Sequence, residues 1–119
     1  MADHNEFGSK AEEMACKYLE KKGYAILERN FFYDKAEVDI IAAKDMFIIG
    51  VEVKARSTSF FGNPQEFITK KKIGLLVKAM NEYVLRNDID KEVRFDIIGI
   101  VKSKQDYVIE HVENAFYHF

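Results

Sequence analysis

The segment that most constrains the fold is residues 36–56, AEVDIIAAKDMFIIGVEVKAR. It consists of two runs rich in β-branched residues around a short turn, a pattern that predicts two adjacent strands. These strands are strongly apolar, yet they carry Asp39, Glu52 and Lys54. A prediction of the fold must therefore also explain why two acids and a lysine stand there.

Hydrophobic periodicity predicts a helix and a strand before this segment, and a helix and two strands after it. The predicted helices cover residues 7–22 and about 67–86, and the predicted strands cover residues 24–33, 37–43, 46–55, 92–101 and 106–112. Gly23 is a natural stop for the first helix. We therefore predict an α/β fold in the order αβββαββ, with a central mixed five-stranded sheet flanked by helices. The 119 residues are expected to form one domain, 1–119.

Composition excludes several classes of protein. Hydrophobic residues make up 48% and charged residues 32% of the chain, which is typical of a soluble globular domain. No apolar run approaches the roughly 18 residues that a membrane span needs, and no signal-peptide core is found near the N-terminus. The single cysteine, Cys16, suits a reducing compartment, so a cytoplasmic protein without a membrane partner is expected. His4, His111 and His118 are too scattered for a zinc site.

Strand alternation brings the charged residues of the opening segment together. If the turn is centred between Asp45 and Met46, Asp39 lies opposite Glu52 and Lys54 lies on the same face. Two carboxylates about 4 Å apart repel by roughly 4 kcal/mol at an effective dielectric constant near 20. A shared proton, the lysine or a divalent cation would offset that repulsion. The alternative is a solvated strand face, which we favour for Glu37; for the other acids, geometry leaves both interpretations open.

The spacing of these residues resembles the signature of the PD-(D/E)XK nucleases, with Asp39 followed by Glu52, Val53 and Lys54. The wider pattern resembles the YraN-type family of bacterial endonuclease-like proteins, which is similar to the archaeal Holliday-junction resolvases. The motifs that carry this resemblance are GSKAEEMACKYLEKKGYAILERN, EVDIIA, VEVKAR, GNPQE, TKKK and RFDII, in this order from residue 8 to about 98.

The resemblance implies a restriction-endonuclease-like core and assigns roles to individual residues. Asp39 and Glu52 would bind Mg²⁺ or Mn²⁺, and Lys54 would be the catalytic lysine. Glu12 matches a further metal-binding acid, although its pattern alone would favour a first-turn acid stabilised by the helix dipole. The chain departs from the family pattern at Ala36, Asp45 and Gly50, and none of these three positions is a predicted ligand. Other positions match the loop and helix that follow: Gly62, Pro64, Glu66 and Lys71.

A basic segment follows the predicted site. Residues 54–78 contain six basic residues and one acid, Glu66, in a chain of net charge −2. Such a run is often only a solvated face, but after a catalytic strand it predicts contacts with phosphate. The nucleic-acid-binding residues predicted in this way are Arg56, Lys70, Lys71 and Lys72. The intervening loop, 56–65, is expected to be mobile without nucleic acid, with Phe60 and Phe61 packed in the core or an interface.

The favoured function is therefore a metal-dependent endonuclease that hydrolyses phosphodiester bonds of DNA. Branched or repair-related DNA is expected by analogy with the resolvases alone, and RNA stays open. A homodimer is expected, because paired incision of a symmetric junction needs two sites. The alternative is a non-catalytic nucleic-acid-binding module on the same fold.

Overall fold

The computed structural model describes residues 2–56 and 68–116. Over these ranges the elements follow the predicted αβββαββ order. They are α1 (Ala2–Lys21), β1 (Ala25–Tyr33), β2 (Ala36–Lys44), β3 (Phe47–Arg56), α2 (Lys70–Arg86), β4 (Glu92–Ser103) and β5 (Asp106–Val112). The predicted α/β class is confirmed, and the architecture is consistent with a restriction-endonuclease-like fold.

The helix bounds differ from those predicted. Helix α1 begins at Ala2, ahead of the apolar face on which the prediction relied. Helix α2 begins at Lys70, because Thr69 is its N-cap and accepts a hydrogen bond from the Lys72 backbone N–H at 3.1 Å. Arg56 is the last residue of β3, so the prediction that it opens a loop is wrong. The rest of that loop, with its predicted mobility and packing, lies outside the described residues, as do Gly62, Pro64 and Glu66.

The five strands form one sheet whose spatial order is the chain order, β1-β2-β3-β4-β5. Neighbouring strands are antiparallel except for β3 and β4, which are parallel. Parallel neighbours need a crossover connection, and α2 lies in it. The first turn of α2 therefore follows the end of β3, where Glu52 and Lys54 lie.

A helix covers each face of this sheet. On one face α1 contributes Leu19 to a cluster that includes Ile49 of β3. On the other face α2 contributes Met80 to a cluster that includes Ile48. Neighbouring residues of β3 therefore enter opposite cores, which explains the nearly continuous apolar runs of the sequence. Among the described residues, neither helix is long and apolar enough to cross a membrane.

Two departures from the family pattern have physical explanations in the structure. Asp45 has a φ of 54°, a left-handed conformation that aspartate tolerates at the turn between β2 and β3. Gly50 faces α2, and a Cβ atom there would lie 3.0 Å from the Sδ atom of Met80. A larger residue at position 50 would therefore require Met80 to move.

Candidate functional site

Strands β2 and β3 bring Asp39 and Glu52 together in the register that the sequence predicts. The antiparallel pairing runs from Lys44 with Phe47 at the turn to Ile40 with Val51. The pairing ends there, and Asp39 and Glu52 are the next residues of the two strands. Here the Asp39 side chain becomes the acceptor, because its Oδ2 atom takes a hydrogen bond from the Val53 backbone N–H at 2.8 Å.

The Asp39 carboxyl is electrostatically strained in this position. Burial and the neighbouring charge of Glu52 raise its pKa from 3.8 to about 8, against the opposing effect of the Val53 N–H. Glu12 raises the pKa further through its charge. A buried carboxyl whose pKa is raised by a second, buried carboxyl marks a candidate site for a cation.

Two lysines contact the same oxygen of Glu52, whose side chain is only 5% exposed. The Nζ atom of Lys54, from the same face of β3, lies 3.5 Å from Glu52 Oε2. Lys72 reaches this oxygen from the first turn of α2 and donates a hydrogen bond to it. The structure thus brings Asp39, Glu52 and Lys54 together as the sequence predicts, and it adds Lys72.

Sequence reasoning placed Lys72 only on the phosphate-binding surface. The signal that could have found it is Thr69, because an N-cap at that position makes Lys72 the third residue of the helix and orients the first turn. Burial alone would lower the pKa of Lys72, but the hydrogen bond to Glu52 and the charges of Glu52 and Asp39 outweigh it and raise the pKa. Lys72 is therefore an ammonium ion at neutral pH.

Glu12 lies near the Asp39–Glu52 pair, and its side chain is hydrogen-bonded to Asn30. Its Oε1 atom accepts a hydrogen bond from Asn30 Nδ2 at 3.2 Å, and the same nitrogen donates to Glu37 Oε2 at 2.9 Å. Glu12 is partly buried and Glu13 is exposed, as the helical pattern predicts. In the described part of the chain, no three acidic, histidine or cysteine side chains are placed to hold a metal ion by themselves.

The donor set nevertheless fits a hard divalent cation with incomplete protein coordination. Mg²⁺ is commonly bound by one or two carboxylates, with water and substrate phosphate as its other ligands. Asp39 and Glu52 supply two carboxylates, and a bound cation would relieve the electrostatic repulsion between them. The pair therefore fits Mg²⁺ or Mn²⁺, with Glu12 close enough to add to the local negative charge.

Basic residues surround a cavity of about 220 Å³ beside the carboxylates. Its lining comprises Lys35, Ala36, Glu37, Thr69, Lys71, Lys72, Leu75 and Leu76. Lys71 and Lys72 were predicted as phosphate contacts, whereas Lys35 was missed because it precedes β2 far from the basic segment in sequence. Lys70 is exposed in the same turn of α2, and Arg56 is partly buried at the end of β3.

A second polar cluster lies on the opposite face of the sheet and was not predicted. Asp96 of β4 is fully buried and accepts two hydrogen bonds of 2.9 Å from the Arg94 guanidinium. The Nε2 atom of His111 lies 2.7 Å from its Oδ2 atom, and the Asn114 backbone N–H donates to Oδ1 at 3.0 Å. Burial alone would raise the pKa of Asp96, but these partners lower it. The cluster joins β4 to β5 and, through Tyr24, to the start of β1.

Comparison with known proteins connects this geometry to a family. The model of the uncharacterised protein family UPF0102 matches residues 11–100, a range that includes Glu12 and both lysines of the site. The UPF0102 protein of Flavobacterium psychrophilum is 54% identical over 119 residues, and that of Christiangramia forsetii is 56% identical over 119 residues. Both alignments cover the whole of both chains. A relative from Bacteroides thetaiotaomicron is 42% identical over 117 residues, which is 98% of this chain and 97% of the relative.

Proposed function

Because the chain belongs to UPF0102, the YraN family of the PD-(D/E)XK nuclease type, we propose that it is a metal-dependent endonuclease that hydrolyses phosphodiester bonds of DNA. The observation that carries this proposal is the Asp39–Glu52 pair with Lys54 at its side. Two repelling carboxylates destabilise a pair of strands, and a role in metal-assisted phosphate chemistry would explain why they stand there next to a lysine.

In this proposal Asp39 and Glu52 would hold Mg²⁺ or Mn²⁺, and Glu12 would add the negative charge of a third carboxylate from the border of the site. When bound, the cation would supply Lewis-acid stabilisation of the charge that develops on the reacting phosphate. The hydrogen bond from the Val53 N–H holds the Asp39 carboxylate in place without neutralising it. Strand β3 thereby fixes one acid directly and orients the other through its backbone.

Lys54 is the proposed catalytic lysine. Its side chain is 25% exposed and lies on the same face of β3 as Glu52, so its ammonium can face both the carboxylate pair and solvent. From there it would orient the attacking water or neutralise negative charge on the phosphate in the transition state. The 3.5 Å contact with Glu52 keeps the ammonium next to the carboxylate pair.

The basic residues around the site support a nucleic acid as the substrate. Lys70 and Lys71 are exposed in the first turn of α2, and Arg56 ends the strand that carries the site. Lysine and arginine contacts with phosphate position a strand without reading its bases. Such contacts suit recognition of DNA by shape, and we propose branched or repair-related DNA cut by a homodimer.

A cleavage assay tests this function. Linear, flapped and four-way DNA and a matched RNA are incubated with the parent protein in Mg²⁺, in Mn²⁺ and in EDTA. We expect incision of DNA with either metal, none in EDTA, and none by Asp39→Asn, Glu52→Gln or Lys54→Met. Binding without incision under every condition would favour the non-catalytic nucleic-acid-binding module. Incision by Asp39→Asn at the parent rate would show that the site is assigned wrongly.

A further inference from the structure

Two ammonium groups of the protein itself lie at Glu52, and the one that donates a hydrogen bond to it is that of Lys72. We propose that Lys72 is a positioning residue that holds Glu52 in the metal-free protein and competes with the divalent cation for it. Once displaced, Lys72 turns to the substrate phosphate. The inference rests on the proposed function, because it takes the Asp39–Glu52 pair as the metal site.

The competition follows from the contacts of a single oxygen. Glu52 Oε2 accepts the hydrogen bond from Lys72 and also faces Lys54 at 3.5 Å. Because the side chain is 5% exposed, water has little access to replace a lost partner. A divalent cation bound between Asp39 and Glu52 would lie next to the positive charge of Lys72. Entry of the cation therefore favours withdrawal of the ammonium, which keeps its proton.

Lys72 differs in this respect from the lysines beside it. The N-cap bond from its backbone N–H to Thr69 makes it the third residue of α2, and from there its side chain reaches Glu52 of β3. Lys70 and Lys71 are exposed, whereas Lys72 is partly buried, with 43% of its side chain accessible. Adjacent residues of the same charge thus lie in different environments, and only one of the three donates to Glu52 among the hydrogen bonds described.

The displaced ammonium has a place to bind phosphate. Lys72 lines the cavity of about 220 Å³ together with Lys35, Lys71 and the hydroxyl-bearing Thr69, while Glu37 is the one acid among the described residues of that lining. The surplus of positive charge favours an anionic group, and in a nuclease that group is a phosphate of the bound strand. Lys72 lies between the cavity and Glu52, so a small movement of its side chain exchanges one partner for the other.

This exchange couples two binding events. With a metal bound, Lys72 would leave Glu52 and be free to bind phosphate, so each ligand would strengthen the binding of the other. Without Lys72 the metal has no internal competitor, and the part of the coupling that this side chain carries is lost. Metal affinity and coupling should therefore change in opposite directions when Lys72 is removed.

The test compares Lys72→Met with Lys71→Met, which removes the same charge from the adjacent residue. Mn²⁺ binding is measured without DNA by electron paramagnetic resonance and by calorimetry. We expect Lys72→Met to bind Mn²⁺ at least about 5-fold more tightly than the parent, the lower end of common coupling energies. Lys71→Met should stay within about 2-fold, because its charge is exposed and screened. Lys72→Arg, which retains a cation, should bind Mn²⁺ much as the parent does.

A second measurement separates competition from a general charge effect. In EDTA, Lys72→Met should melt at a lower temperature than Lys71→Met, because Glu52 loses its hydrogen-bonded partner. Saturating Mn²⁺ should narrow that difference, since the metal then replaces the lysine.

Two outcomes would overturn the inference. If the parent binds Mn²⁺ and Lys72→Met binds it no more tightly than Lys71→Met does, Lys72 does not compete for Glu52, and the proposed function is untouched. If neither the parent nor Lys72→Met binds Mn²⁺, the metal site itself is refuted, and the inference is refuted with it.

Discussion

Replacing Asp39 with asparagine tests the carboxylate pair through stability alone, without metal or nucleic acid. Asparagine keeps the shape of the side chain and an oxygen that can accept the hydrogen bond from the Val53 N–H. It removes the charge that burial and Glu52 make unfavourable. We therefore expect the variant to be more stable than the parent in EDTA, although most substitutions at partly buried polar residues destabilise a protein.

The size of the gain follows from the pKa of Asp39. That pKa is about 8 in the folded protein, against 3.8 for the free side chain. At pH 7, which is about 3 units above the unfolded pKa, ionisation of Asp39 favours the unfolded chain over the folded one. At 1.36 kcal/mol per pH unit, this lowers the free energy of unfolding of the parent by about 4 kcal/mol. Repulsion between two carboxylates about 4 Å apart gives a similar figure. For a chain of this length the melting temperature should rise by roughly 15 °C.

The pH dependence gives the prediction a sign as well as a size. Because the pKa of Asp39 is higher in the folded than in the unfolded chain, the destabilisation that it causes in the parent is absent near pH 4 and grows as the pH rises. It levels off above about pH 8, the folded pKa of Asp39. Urea unfolding from pH 4 to pH 9 in EDTA measures the gain, with Asp106→Asn, an exposed position of β5, as the control. Equal stability of parent and Asp39→Asn at pH 8, or a gain that does not change with pH, would refute the reasoning.

Three further predictions concern other residues and the assembly. Lys54→Met should keep Mn²⁺ binding within a few-fold of the parent and lose DNA cleavage; cleavage at the parent rate would remove the catalytic role of Lys54. Asp96→Asn should lower the free energy of unfolding by about 3 kcal/mol or more in urea, because Arg94 loses its buried partner. In the parent, the stability that Asp96 contributes is lost as the pH falls through its lowered folded pKa. The variant should therefore lose less stability in acid than the parent does, and an acid unfolding transition identical to that of the parent would contradict this. Sedimentation at micromolar concentration should give a dimer, whereas a monomer unchanged by DNA would remove the support for paired incision.

The strands and the Asp39–Glu52 pair could be predicted because local rules determine them. Alternation and a short turn at Asp45 fix the register of β2 and β3 as far as Ile40 and Val51, and Asp39 and Glu52 follow directly, close enough to interact. The position of Lys72 could not be predicted in the same way. It depends on where α2 begins and on how that helix is rotated against the sheet, which tertiary packing determines.

The Asp96 cluster was missed for a related reason. Its partners come from different parts of the chain: Arg94 is two residues away on β4, whereas His111 is on β5 and Tyr24 precedes β1. No spacing in the sequence indicates that these groups converge. The alternation of Arg94 and Asp96 within an otherwise apolar strand was the one local sign, because a buried charge needs a partner.

Asp39 and Asp96 show why burial of an acid does not by itself indicate function. Both lie on strands of the same sheet, on opposite faces, and for each of them burial alone would raise the pKa. Asp96 has a bidentate Arg94, a close His111 and a backbone N–H, so its charge is already satisfied and its pKa falls. Asp39 has one backbone N–H and faces a second carboxylate, so its pKa rises to about 8. A satisfied acid has little to gain from a ligand, whereas a cation would relieve Asp39. Among the described residues, it is therefore the smaller number of internal donors that distinguishes the acid of the proposed metal site from the acid that holds the fold together.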